Sequence, residues 1–126
     1  MILNQITLPS LDPQGSISFY EKLGMKLIVK SLPHYVRFIC PDGKSTFSLH
    51  QVEHLPSGDG AWIYFECAHL DLMVADLKGL GIVFEEDPGD KPWLWREARL
   101  KDPDGNQLIL YHAGENRMNP PWRIKG

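Results

Sequence analysis

Several things are scarce in this chain of 126 residues, and each scarcity narrows its function. There are only two cysteines, Cys40 and Cys67, without CxxC spacing, so neither a disulfide framework nor a zinc finger is indicated, and a reducing cytoplasm fits best. No apolar run approaches the roughly 20 residues of a membrane span. Charge of one sign is also lacking: a formal net charge of −3, with Lys and Arg scattered among acids, leaves no basic patch for nucleic acid. Met1 leads directly into a strand-like run rather than a basic segment and an apolar core, which argues against a secretory signal. Nucleophile motifs and Gly-rich phosphate loops are missing too. Small molecules or other proteins remain as the expected partners.

What is present is a repeated pattern. Asp102-Pro103-Asp104-Gly105-Asn106 reads as a tight turn feeding the apolar strand that ends at His112. Pro41-Asp42-Gly43 does the same ahead of a strand ending at His50, which suggests a duplicated unit. Residues 2–9, alternating from Asn4 onward, read as a half-buried strand that Pro9 should stop. Asp12-Pro13 then predicts a helix, Asp12 as N-cap, with Ile17, Tyr20 and Leu23 on one side up to Gly24. Strands are expected over 25–30, 35–40 and 45–52.

After the turn-rich segment 56–60 the order repeats. A strand is expected over 61–67. A helix carries Leu70, Met73, Val74 and Leu77 and ends at Gly81, and strands follow over 82–85 and 94–100 before the last one. By composition 86–92 is a loop, and the tail 113–126, with Pro120-Pro121, is irregular. Its Trp122 and Ile124 are free to dock on the body or on a partner.

The expected architecture is therefore α+β: one domain of two βαβββ modules, about 1–55 and 61–112, whose joined sheets form a cup with the helices on the convex side. Alternation puts Ile6, Leu8, Phe47, Leu49, Ile63, Phe65, Leu108 and Leu110 under the helices. It turns Gln5, Thr7, Ser48, His50, Trp62, Tyr64, Glu66, Ile109 and Tyr111 toward the trough.

These stretches, in particular Ser16-Ile17-Ser18-Phe19-Tyr20-Glu21-Lys22-Leu23-Gly24-Met25, Leu77-Lys78-Gly79-Leu80-Gly81-Ile82 and Asp102 to Asn106, make the chain resemble the vicinal-oxygen-chelate superfamily of glyoxalases, bleomycin-resistance proteins and extradiol dioxygenases. The resemblance runs from Gln5 to about His112. It implies paired modules, often completed in a homodimer, and a divalent metal held by the first and last strand of each module. Those ligand positions fall on Gln5, Ser48, Trp62 and Ile109, of which only Gln5 suits such an ion. Spacing from the two Pro-Asp-Gly turns pairs Ile109 with Phe47 instead of Ser48, so a bulge is expected to shift one of the two strands by one residue.

The candidate site residues follow from this. His50 and Glu66 lie two positions beyond lost ligand positions, about 6.6 Å further along their strands. They are candidates for catalytic acid/base work, for a displaced metal site with Gln5, or for lining a polar pocket. His112 alternates to the helix side and reads as structural. Trp62, Tyr64 and Tyr111 either stack on a flat ligand or fill the cup or a subunit contact. Arg99, which shares a side with Trp95 and Glu97, either binds an anionic group or pairs with an acid. The preferred expectation is a bleomycin-resistance-like protein that binds a small organic molecule through Gln5, Thr7, His50, Trp62, Tyr64, Glu66, Tyr111 and Arg99, with no cofactor. The alternatives are a divalent-metal-dependent lyase, isomerase or dioxygenase with displaced ligands, and an interaction module whose tail clasps a partner.

Overall fold

The computed structural model describes residues 1–125. In chain order the elements are β1 (Gln5–Ser10), a 3-10 turn (Gln14–Ser16), α1 (Ile17–Lys22), β2 (Lys26–Ser31), β3 (Tyr35–Ile39) and β4 (Thr46–Gln51). Then come β5 (Trp62–Glu66), α2 (Leu70–Gly79), β6 (Glu86–Asp90), β7 (Arg96–Lys101), β8 (Gln107–His112) and a second 3-10 turn (Gly114–Asn116). This is the α+β, twice-βαβββ order read from the sequence. Two four-stranded mixed sheets result, ordered β1-β4-β3-β2 and β5-β8-β7-β6, each with one parallel pair, β1 with β4 and β5 with β8. Contacts group the chain into two compact units, 1–60 with 102–106, and 61–101 with 107–125.

In the first unit, α1 is short and contains weak helix formers, so packing holds it. Its Tyr20 is fully buried against Phe47 and Phe38, ring centroids 4.8 and 5.4 Å away, and those two rings stack on each other at 5.0 Å. Burying such side chains contributes roughly 1.5–3 kcal/mol each. Tyr20 also donates a hydrogen bond to Asp102 Oδ2 at 2.6 Å. Asp102 in turn accepts from the backbone N–H groups of Asp104 and Asn106, which fixes the Pro103-Asp104-Gly105 turn. Two expectations fail here. Asp12 makes no side-chain cap bond; its own N–H donates to Ser10 Oγ, and the helix enters through the 3-10 turn. Nor does Pro9 end β1. The carbonyls of Asn4 and Ser10 accept from Thr46 and Val52 in and beside β4, so alternation turns the backbone of Pro9 away from β4, where the missing N–H costs no ladder bond.

In the second unit, α2 packs against β6, β7 and β8 through Leu70, Val74 and Leu77, while Met73 stays exposed. Two strand boundaries differ from expectation. Ile82–Glu85 is not a strand: the Ile82 N–H bonds the Leu77 carbonyl behind Gly81, at φ +90°, and so finishes the helix. The strand is Glu86–Asp90, read from composition as a loop; it is the end strand of its sheet and is irregular between Glu86 and Gly89, where Pro88 is tolerated. The strand expected from Leu94 starts at Arg96, because residues 91–95 make a turn closed by bonds from Leu94 N–H to Lys91 O and from Lys91 N–H to Trp95 O.

The register question resolves in the first turn. Gln5 pairs with Thr46 and Thr7 with Ser48, as Trp62 pairs with Gln107 and Tyr64 with Ile109, so Ser48 corresponds to Ile109. The Cys40 N–H reaches the Ser45 carbonyl across a turn one residue longer than the one in which the Asp102 N–H reaches the Asn106 carbonyl. The additional residue sits between the turn glycine and the strand, and no bulge in β4 or β8 is needed.

Candidate functional site

In the first unit the polar side chains of one sheet face join in a network. The Gln5 side-chain amide donates to Ser48 Oγ at 2.9 Å and more weakly to Thr7 Oγ1 at 3.5 Å, while its Oε1 accepts from the Thr46 hydroxyl. Ser48, fully buried, also shares a short hydrogen bond with the Tyr35 hydroxyl, which accepts from Arg37 Nε at 2.9 Å. Gln5 is thus engaged at both ends. Ser48 is expected on this face with Gln5 and Thr7; Tyr35 and Arg37 are members the sequence does not point to, since their arrival depends on the β3–β4 register. His50 lies exposed near the end of β4, in register with Pro9 and Tyr35, and makes no side-chain hydrogen bond among the described residues.

The second unit carries the aromatic face. The Tyr64 ring meets Trp95 and Tyr111 edge-on, at 5.8 and 5.4 Å, and Trp95 stacks on Tyr111 at 4.8 Å. Beside them the Arg99 guanidinium lies over the Trp62 ring, 4.6 Å from its centroid. Tyr111 and Ile109 are the register partners of Glu97 and Arg99 on β7, so those four share the face. Glu97 is fully buried, accepts from Trp93 Nε1 at 2.7 Å through Oε2, and has Arg99 Nη2 3.8 Å from Oε1. Arg99 therefore has acidic neighbours, Glu97 and, at 3.7 Å, Glu86. Alternation placed Glu97 beside Arg99 in the sequence. The part played by Trp93 is not legible, because the expected strand begins next to it at Leu94 whereas residues 91–95 form a turn. Burial, then the nearby Glu97, raises the Tyr64 phenol above its ordinary value despite Arg99; burial and Glu66 do the same for Tyr111. Both phenols stay protonated at neutral pH and are available as donors.

Glu66, at the end of β5, holds the start of the tail. Its Oε2 accepts the backbone N–H groups of Ala113 and Gly114 at 2.8 and 3.0 Å, and Arg117 Nε lies 3.8 Å from Oε1. Burial pushes this carboxyl up, but the two N–H donors with Arg117 and His112 outweigh it and leave it below the usual carboxylate range. On the opposite face His112 donates from Nδ1 to the Cys67 carbonyl, 3.1 Å away. An open cavity of about 270 Å³ lies beside it, lined by His69, Asp71 and Arg96 among others. Arg96 there is bidentate to Asp71, at 2.9 and 3.1 Å, so its charge is already met. Cys40 and Cys67 are free, and burial first, with a nearby acid, raises both thiols, which makes them poor nucleophiles.

The donor set at the four family metal positions does not fit a divalent ion. Gln5 Oε1 is taken by Thr46, Ser48 is spent between Gln5 and Tyr35, the Trp62 indole has only a donor, and Ile109, 1% exposed, has no heteroatom. Of the displaced set, Gln5 and His50 belong to the first unit and Glu66 to the second. Among the described residues no group of three or more His, Cys, Asp or Glu side chains is arranged to hold an ion.

No protein of curated function matches the sequence. Solved structures do match in fold. A glyoxalase/bleomycin resistance protein/dioxygenase from Nocardioides is similar with a TM-score of 0.80 and 21% identity, over 99% of this chain and 90% of that one. A lactoylglutathione lyase from Agrobacterium tumefaciens gives 0.74 and 18%, over 98% and 97%. A bleomycin-binding protein complexed with bleomycin gives 0.72 and 21%, over 89% and 98%. At such identities the likeness establishes the fold alone. A family profile described as Glyoxalase/Bleomycin resistance protein/Dioxygenase superfamily matches residues 2–110 of this twice-βαβββ chain, and the chain belongs to that superfamily.

Proposed function

We propose that the protein binds a small planar organic molecule on the aromatic face of its second unit, without the divalent ion that superfamily enzymes use. The observation that carries this reading is the cluster of Tyr64, Trp95 and Tyr111 beside Ile109, a metal-ligand position filled by an aliphatic side chain, with Trp62 under the Arg99 guanidinium. Offset and edge-on rings are the walls a flat ligand needs, and the Tyr hydroxyls would orient it. That one structural relative is a bleomycin-binding protein complexed with bleomycin supports binding of a small organic molecule. A metal-dependent reaction through Gln5, His50 and Glu66 has less support, because Gln5 Oε1 and Glu66 Oε2 already accept hydrogen bonds. Two free cysteines support a cytoplasmic setting, and apolar side chains exposed near both chain ends, Ile2, Leu3, Trp122 and Ile124, support a homodimer.

The test is a screen of planar compounds, bleomycin included, by tryptophan fluorescence and thermal shift on protein dialysed against a chelator. Saturable binding that survives the chelator and weakens in Tyr64→Ala is the expected result. Binding that appears only with a stoichiometric divalent ion would overturn the reading.

A further inference from the structure

We propose that Glu97 and Arg99 read the edge of that ligand, and that the ligand is a planar nitrogen heterocycle, imide or aryl amide presenting an N–H beside a carbonyl oxygen. The proposal rests on the aromatic face being the binding site and adds its chemical selectivity. Glu97 is fully buried, yet its Oε1 has no hydrogen-bond partner among the described residues; Arg99 Nε is likewise buried without one. Their ionic neighbours stand off at 3.8 Å, Arg99 Nη2 from Glu97 Oε1, and 3.7 Å, Glu86 Oε2 from Arg99 Nε. An acceptor and a donor two residues apart on one side of one strand, both buried and both unmet, are costly to keep unless something else completes them.

Charge decides what that is. An anionic ligand would meet Glu97 and Glu86, and a cation would meet Arg99 and Lys91, which pairs with Glu86. A neutral edge that donates to Glu97 Oε1 and accepts from Arg99 Nε satisfies both atoms without adding charge. The rings of Tyr64, Trp95 and Tyr111 supply stacking for the flat body of the same molecule. Trp93, whose indole holds the other carboxyl oxygen, sits on an exposed turn and is 43% exposed itself.

Phthalimide and N-methylphthalimide test this, titrated into the full chain while the indole N–H resonances of Trp93 and Trp95 are followed. Phthalimide should bind saturably and shift both, and the N-methyl compound, which has no proton to donate, should bind at least about tenfold more weakly. In Glu97→Gln the Trp93 N–H keeps the amide oxygen, so the amide NH2 faces the ligand as a donor. The imide should then lose its advantage while the N-methyl compound binds as before. Equal binding of the two compounds to the unaltered protein overturns the edge recognition and leaves the aromatic binding face standing. The same holds if other planar compounds shift the indoles and phthalimide does not. If no planar compound shifts either indole, the binding face falls with it.

Discussion

Tyr20 and Asp102, 82 positions apart, are joined by a 2.6 Å hydrogen bond that ties α1 to the turn ahead of β8. Both side chains are buried, and burial together with the Asp102 charge drives the phenol far above its ordinary range, so it remains a donor at every pH at which the fold survives. Tyr20→Phe keeps the packing on Phe38 and Phe47 but leaves Oδ2 with Asn106 Nδ2 alone. The expected loss is about 1.5–3 kcal/mol, read as a lowered urea midpoint at unchanged slope. A loss below about 0.5 kcal/mol would mean that water replaces the phenol freely.

Glu66 makes the tail pH-sensitive in one direction. Its folded-state value lies below the ordinary one near 4.5, so the stabilisation it gives is present above that value and is lost as the pH falls through the folded one. The amide resonances of Ala113 and Gly114 should therefore titrate together with a midpoint under 4.5, and Glu66→Gln should abolish the titration. A midpoint above 4.5 would contradict the anchoring geometry.

Gln5 belongs to a hydrogen-bond network, and its replacement should show in stability, not in metal content. Gln5→Ala removes the bond to buried Ser48 and should cost about 1 kcal/mol. Elemental analysis of the unaltered and substituted proteins, purified without chelator, should give the same sub-stoichiometric divalent metal. A stoichiometric ion lost on substitution would return Gln5 to the role the resemblance gave it.

Backbone sign separates two turn positions. Leu94 holds φ +68°, a region that costs a side chain-bearing residue about 1–2 kcal/mol, and it is half exposed. Leu94→Gly should be neutral or stabilising by up to about 1 kcal/mol after the added freedom of the unfolded chain is counted. Gly105→Ala, at φ +84° with open space around it, should cost about 1 kcal/mol from the dihedral alone. Thermal midpoints of the two variants should move in opposite directions, or only the second should move.

The duplicated order was legible because it is written in local signals: the turn of Pro41-Asp42-Gly43, its copy at Pro103-Asp104-Gly105, and alternation that put Phe47, Leu49, Leu108 and Leu110 on buried faces. Ser48, Ile109 and Tyr111, assigned to the open side, are also buried, because β3 supplies Tyr35 against the first and the turn before β7 supplies Trp95 against the others. Composition misplaced β6, since Asp87-Pro88-Gly89 looks like a loop and only its end-of-sheet position lets it pair. The partnerships of the site residues, Gln5 with Thr46, Glu66 with the tail and Trp93 with Glu97, depend on register and on turns that no single-chain pattern encodes.

The longer first turn also bears on how such a duplicated protein tolerates change. An insertion inside a strand would exchange its wet and dry sides, whereas one placed between Gly43 and Thr46 is taken up before pairing begins. Length at that corner is therefore free to drift between the halves while the chemistry of each sheet is inherited intact. Trimming Lys44 should be survivable where removing any residue of β4 should not.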